Sequence, residues 1–162
     1  MKKTLNILIA FVAVWCTGII LTPVMTSVYP TGESATNIFY KFYGIVCHQF
    51  DSRSLHIDGH PFAVCIRCTA IYFGFLIALI GIRFSSRLYN KEYNPLLLLI
   101  CSLVPMVLDV ACSFTLFYEI STPSRLITGA IFGIGLALLL HRSLTETISS
   151  LIPFKHHEIK TR

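Results

Sequence analysis

Residues 65–82 read CIRCTAIYFGFLIALIGI: two cysteines three positions apart with an arginine between them, then an unbroken apolar run. About 20 such residues are needed to cross a bilayer core, so the stretch is expected to be a membrane span whose first turn, carrying Arg67, lies at the membrane surface. Three more stretches share this character, about 5–28, 95–118 and 124–140. The whole chain agrees with them: 54% of its 162 residues are hydrophobic and 13% charged, and the mean hydropathy is +0.70. These values exclude an ordinary soluble domain and define an integral membrane protein.

The expected fold is all-α: one membrane domain over residues 1–162, built as a four-helix bundle. An outer loop, 29–64, separates spans 1 and 2, and a polar tail, 141–162, follows span 4. The first apolar stretch follows Met1-Lys2-Lys3 but is too long for a secretory signal and lacks a small-x-small cleavage site. Trp15 directly before Cys16 does not suit a lipoprotein signal, so the stretch reads as a retained anchor.

Basic residues orient the bundle. With four spans and the amino terminus inside, Lys2, Lys3, Arg83, Arg87, Lys91, Arg142, Lys155, Lys160 and Arg162 are cytoplasmic, whereas Lys41, Arg53, Arg67 and Arg125 are outside. Nine against four matches the positive-inside bias and places both termini in the cytoplasm of a multi-pass cell-membrane protein. The net charge of +5 is therefore a topology signal. No soluble basic run interleaved with aromatics is present, so nucleic acid is not an expected partner; the lipid bilayer is.

Within the outer loop, TNIFYKFYGIVCHQF places Ile38, Phe39, Phe42, Tyr43 and Val46 at helical spacing. An aromatic-rich amphipathic helix of this kind lies in the membrane interface or dips into the bundle. Gly129-x-x-x-Gly133 on span 4 suits close helix packing. His156-His157 in the tail reads as solvated or near lipid.

The outer side collects the residues able to carry chemistry. Cys65 and Cys68 share one helix face at i, i+3. With Cys47 they supply three thiolates, and His48 or His60 can complete a tetrahedral zinc site; iron is the other metal such ligands accept. The same pair has a redox reading, because a thiol at a helix amino terminus beside Arg67 favours the thiolate. A third reading makes the cysteines merely structural, as a fixed disulfide or small apolar residues.

Asp109 lies well inside span 3, where an ionised carboxylate needs a partner or a watery cavity. Pro105, four residues earlier, frees the Cys101 carbonyl and favours a kink. Arg125 falls in the first turn of span 4, where the helix dipole disfavours a cation, so an anion should accompany it: Asp109, Glu119 or a ligand headgroup. Arg53 in DSRS can join the same cluster, and Cys112 shares a face with Asp109, whereas Cys16 and Cys101 read as packing residues.

The order Cys47-His48-Gln49, Arg53-Ser54, Gly59, Cys65-x-Arg67-Cys68-Thr69-x-Ile71-Tyr72, then Asp109 and Arg125 with Thr128-Gly129, resembles a family of prokaryotic membrane proteins known as domain of unknown function 2085. The resemblance runs from about residue 43 to the end of span 4 and implies a small multi-pass bundle without implying an activity. Ala70 stands where that family usually has glycine, and Phe50-Asp51-Ser52 where a Pro-Glu-like pair often precedes the arginine.

The preferred functional expectation is a metal site, zinc first, at the outer face, used by a metalloenzyme acting on a lipid or anionic amphiphile. In it Arg53, Arg67 and Arg125 hold an anionic group and Asp109 acts as acid, base or supporting partner. Two alternatives stay open: a membrane thiol-disulfide oxidoreductase coupled to a quinone-like carrier, and a non-enzymatic accessory subunit. Oligomeric state is not legible.

Overall fold

The computed structural model of the chain describes residues 2–28, 33–85, 94–114 and 122–151. Its helices are α1 (Lys2–Val28), α2 (Glu33–Gly44), α3 (Ile66–Phe84), α4 (Pro95–Phe114) and α5 (Thr122–Leu151). Four of them hold segments long and apolar enough to cross a membrane: Lys3–Val28, Ile66–Phe84, Pro95–Ser113 and Thr122–Leu144. The protein is thus an all-α membrane bundle. Tyr118, Glu119, His156 and His157 lie outside the described residues.

Helix α3 is the centre of the bundle, and its neighbours approach it through small residues. A side-chain carbon added at Gly74 would stand 2.6 Å from the Ala130 carbonyl oxygen, and one at Gly129 2.8 Å from that of Arg67. At Gly133 it would collide with the Ile71 carbonyl. Gly129-x-x-x-Gly133 therefore presses α5 against α3 backbone to backbone, as small-residue motifs do in lipid. Ala70 faces this seam at Gly129. Replacing Gly133 by leucine is expected to destabilise the bundle by about 1–3 kcal/mol through overpacking. The measurement is the thermal unfolding midpoint in detergent, which should fall.

On its other side α3 meets α1 antiparallel. Leu5, Val12, Cys16, Leu79 and Ile82 are buried there with Ala137 of α5, and Arg83 Nε donates to Asn6 Oδ1 at 2.8 Å where the two helices end together. Helix α4 leans on α5, with Ser102 against Gly135. Its leucines and valines are largely exposed, as a lipid-facing helix requires. Pro105 sits inside α4, and the helix is assigned without a break from Pro95 to Phe114.

Helix α2 dips into the bundle. Tyr43 is buried, its hydroxyl donates to the Trp15 carbonyl at 2.8 Å, and its ring tip fills the notch left by Gly18 of α1. The opposite face exposes Ile38, Phe39 and Phe42. An apolar outer face on a helix whose inner face is already packed fits a segment bordered by lipid.

The loop after α2 is more ordered than its composition suggests. A short 3-10 turn, Asp51–Arg53, leads to a hairpin of β1 (His56–Ile57) and β2 (His60–Pro61), antiparallel with Ile57 opposite His60. Asp58 and Gly59 link the strands with φ of 49° and 81°, the left-handed pair that a two-residue hairpin turn requires. Ser27 Oγ donates to Asp58 Oδ2 at 3.1 Å, and Tyr40 Oη to the Pro61 carbonyl at 2.6 Å. These bonds tie the hairpin to α1 and α2, and so fix where the chain re-enters the bundle at Cys65.

Candidate metal centre

Cys47, Cys65 and Cys68 converge although 18 residues separate the first two: their three sulfurs lie within 4.8 Å of one another. Local backbone explains the convergence. Cys65 is the N-cap of α3 with extended φ and ψ of −63° and 160°, so its side chain and that of Cys68, one turn on, point to the same place. Cys47 arrives from the end of α2, where its amide donates to the Tyr43 carbonyl at 3.1 Å. Tyr43, Cys47, Ile19, Ala63 and Val64 form one buried cluster against which Cys65 and Cys68 pack.

The backbone around Cys47 is arranged for a thiolate. The amides of Cys65 and Gln49 donate to its sulfur at 3.2 and 3.5 Å. The thiols of Cys65 and then Cys68, with these two amides, hold the Cys47 thiol far below the ordinary thiol range, against the opposing effect of burial. The first turn of a helix adds its positive dipole end to the same effect.

Gln49 holds the site together. Its backbone has φ of 50°, and its side-chain amide nitrogen donates to the Tyr40 carbonyl at 2.7 Å and the Ala63 carbonyl at 2.6 Å. One amide group thereby joins the segment carrying Cys47 to the segment entering Cys65. Gln49→Ala leaves two backbone carbonyls without these partners and is expected to cost about 1–3 kcal/mol. A detergent thermal melt should register the loss, while Gln49→Glu, which lacks the donating amide when ionised, should not rescue it.

Above the sulfurs lies a cavity of about 200 Å³ lined by Cys47, His48, Gln49, Phe50, Arg53, Cys65, Arg67, Cys68 and Arg125, among others. All three arginines named from the sequence border it. Arg53 is exposed and lies 5.4 Å over the Phe50 ring. His48 is exposed and stacks on the same Phe50 ring, with centroids 6.0 Å apart. Its nitrogens, like those of His60 in β2, are not in the group of ligand atoms that lie within 4.8 Å of one another. His56 pairs with Asp51 at 3.0 Å, on the exposed side of the loop.

Asp109 is buried and its carboxylate is fully engaged. One oxygen meets the Arg67 guanidinium in an ion pair, and the other accepts from Ser124 Oγ at 2.6 Å. The direct partner is thus Arg67 of α3; Arg125, for which Asp109 was one of three candidate anions, borders the cavity instead. Asp109 does not line the cavity; it bolts α3, α4 and α5 together and aims Arg67 at the sulfurs' side. Arg67 Nε is buried without a hydrogen-bond partner among the described residues. Cys112, expected on Asp109's face, is exposed, and Cys16 is buried away from the triad, in the α1/α3 core. Cys101, expected to pack in lipid or protein, is exposed on α4, whose apolar side chains are largely exposed too.

Sequence reasoning missed the structural part of Gln49 and Ser124. Gln49 was visible only as a letter in Cys-His-Gln; Ser124 stands in the first turn of α5 beside Pro123, and nothing in its neighbours marks it as a partner of Asp109.

Four apolar helices with three thiols gathered at one end define a small multi-pass membrane protein with a candidate metal-ligand set. The chain belongs to the family described as "Predicted membrane protein (DUF2085)", whose profile matches residues 47–139, from the first cysteine of the triad into α5. It is similar to an uncharacterized protein of Methanocaldococcus jannaschii, 33% identical over 141 residues that span 82% of this chain and 87% of the relative. An uncharacterized protein of Methanothermobacter thermautotrophicus is 33% identical over 99 residues, 58% of this chain and 83% of the relative. No solved structure matches.

Proposed function

We propose that Cys47, Cys65 and Cys68 hold a zinc ion, with iron the alternative, and that the cavity above them receives an anionic group of a lipid or amphiphile. The observation that carries the reading is the meeting of three sulfurs from two separate segments within 4.8 Å, with two amides donating to Cys47. Thiolates on a tetrahedral zinc, each about 2.3 Å from it, stand about 3.8 Å apart, so the triad needs only a small closure. A third thiol could also serve a disulfide exchange site as the attacking or resolving partner; the metal is preferred because all three sulfurs converge on one point. His48, which borders the cavity, or a water is the natural fourth ligand.

When bound, such a metal supplies Lewis-acid polarisation of an oxygen or activation of a water. The protein's own residues do the rest. Arg53, Arg67 and Arg125 draw an anion into the cavity and orient it, Arg67 being held in place by Asp109. The enzyme reading on this basis is hydrolytic. Asp109, with both oxygens engaged and outside the cavity lining, serves as a positioning residue in this scheme. The positive-inside bias supports a site on the outer side of the cell membrane with both termini in the cytoplasm.

Metal analysis by mass spectrometry of the untagged protein, purified without added metal, tests the reading. Near one zinc or iron per chain, absent from the Cys65→Ser/Cys68→Ser variant, supports it. Metal-free wild-type protein with a reducible Cys65–Cys68 disulfide would replace it with the oxidoreductase reading. Metal-free protein without redox response, and cysteine variants that lose only abundance, would leave the accessory-subunit reading.

A further inference from the structure

Beside the arginine-lined cavity runs a second one of quite different chemistry. It has a volume of about 340 Å³ and is bounded by Phe11 and Trp15 of α1, Tyr72 and Phe75 of α3, Leu136 of α5, and Val46. Val46 borders both cavities, so they adjoin across one side chain. The volume falls in the range of about 300–1,000 Å³ typical of small-molecule sites. Its walls are carbon almost throughout, and the polar group of Trp15, Nε1, is buried without a hydrogen-bond partner among the described residues.

From this juxtaposition we propose that the two cavities form one site for a single-chain lipid with a phosphate-bearing head: the head lies among Arg53, Arg67 and Arg125, and the chain lies along Trp15 and Leu136. The inference rests on the anion-binding part of the proposed function and extends it with a tail site. Charge complementarity selects the head: Arg53 and Arg125 border the cavity beside Arg67, which is already paired with Asp109, so two guanidiniums are left to favour an anion, and guanidinium pairs with phosphate bidentately. The adjoining apolar groove selects the chain, because a free phosphate ion would leave it unused. The groove lies beside α1 segments rich enough in exposed apolar residues to border lipid, Phe11 and Val14 among them, so a chain can enter from the bilayer without crossing water.

Trp15 is the single tryptophan of the chain and lines the groove, which makes it the reporter. The full-length protein in phosphatidylcholine nanodiscs is titrated with a monoacyl glycerophosphate brominated in its acyl chain, and Trp15 fluorescence is followed. The expected result is saturable quenching, reversed by the unbrominated monoacyl glycerophosphate and not by a monoacyl phosphocholine of equal chain length. Arg125→Gln should raise the half-saturating lipid fraction about tenfold or more. Leu136→Phe, which fills the groove from a half-exposed position, should remove saturation while leaving bound metal unchanged.

Quenching that rises linearly with lipid fraction and is equal for both headgroups would overturn the proposal, as ordinary bilayer contact accounts for it. Saturation abolished by Arg125→Gln but untouched by Leu136→Phe would also overturn it, placing the chain elsewhere. Metal content is read on the same samples. Head-selective saturation in metal-free protein would uphold the lipid site and sink the metal; linear quenching in metal-loaded protein would do the reverse.

Discussion

Exchanging Cys47 for serine is expected to abolish stoichiometric metal retention and weaken zinc affinity by more than about 100-fold, since loss of a mere supporting contact to a ligand costs 10–100-fold. Cys47 is the only one of the three sulfurs that comes from outside the α3 entry, and it receives both backbone N–H···S bonds described at the site. Without it the Cys65/Cys68 pair keeps its helical spacing but loses the donor that converts a pair into a cage. Because metal binding free energy is also folding free energy, the variant should unfold at a lower temperature, and chelator should no longer shift its midpoint. Cys16→Ser is the fitting comparison. Cys16 is equally buried in the bundle but packs in the α1/α3 core, so it should lose packing stability and keep its metal. Equal metal content in wild type and Cys47→Ser would contradict the assignment of Cys47.

Asp109→Ala should be the most damaging single change away from the sulfurs. It leaves the Arg67 guanidinium, whose side chain is 18% exposed, without its carboxylate, and breaking one partner out of a buried pair typically costs about 3–5 kcal/mol. Ser124 loses its acceptor as well. Because α3, α4 and α5 all contribute to this contact, the loss should appear as reduced folded yield and as loosening of α4. The pair as a unit behaves differently: replacing both charges by apolar residues of similar size, Arg67→Met with Asp109→Leu, should recover most of the stability. The same double variant should lose anion binding, because Arg67 also faces the cavity. A double-mutant cycle on thermal midpoints separates the two roles. If Asp109→Leu and Arg67→Met add independently, the pair does not hold the helices together.

The spans were legible because the hydrocarbon core imposes a length and forbids charge, and both constraints act residue by residue along the chain. The triad was legible in part: Cys65 and Cys68 announce themselves by spacing, and Cys47 by being the third thiol on the same side. Which charges pair was not legible, for that depends on how helices are rotated against each other. Asp109 and Arg67 are 42 residues apart, and no local pattern in either span marks the two side chains as partners. The hairpin had a signal that went unread. Asp58-Gly59 is a strong two-residue turn pair, but strands of two residues leave no alternating pattern around it. Gln49 gave no signal beyond its place in Cys-His-Gln, because a side chain that bridges two backbone carbonyls is defined by its partners and not by its neighbours in sequence.

X-ray absorption at the zinc edge of the as-purified protein bears most directly on the metal centre. The account predicts three sulfur scatterers at about 2.3 Å and one nitrogen or oxygen at about 2.0–2.1 Å, with the sulfur contribution lost in Cys47→Ser. A shell made only of nitrogen and oxygen, or no zinc or iron edge at all in protein that is folded and monodisperse, would contradict it.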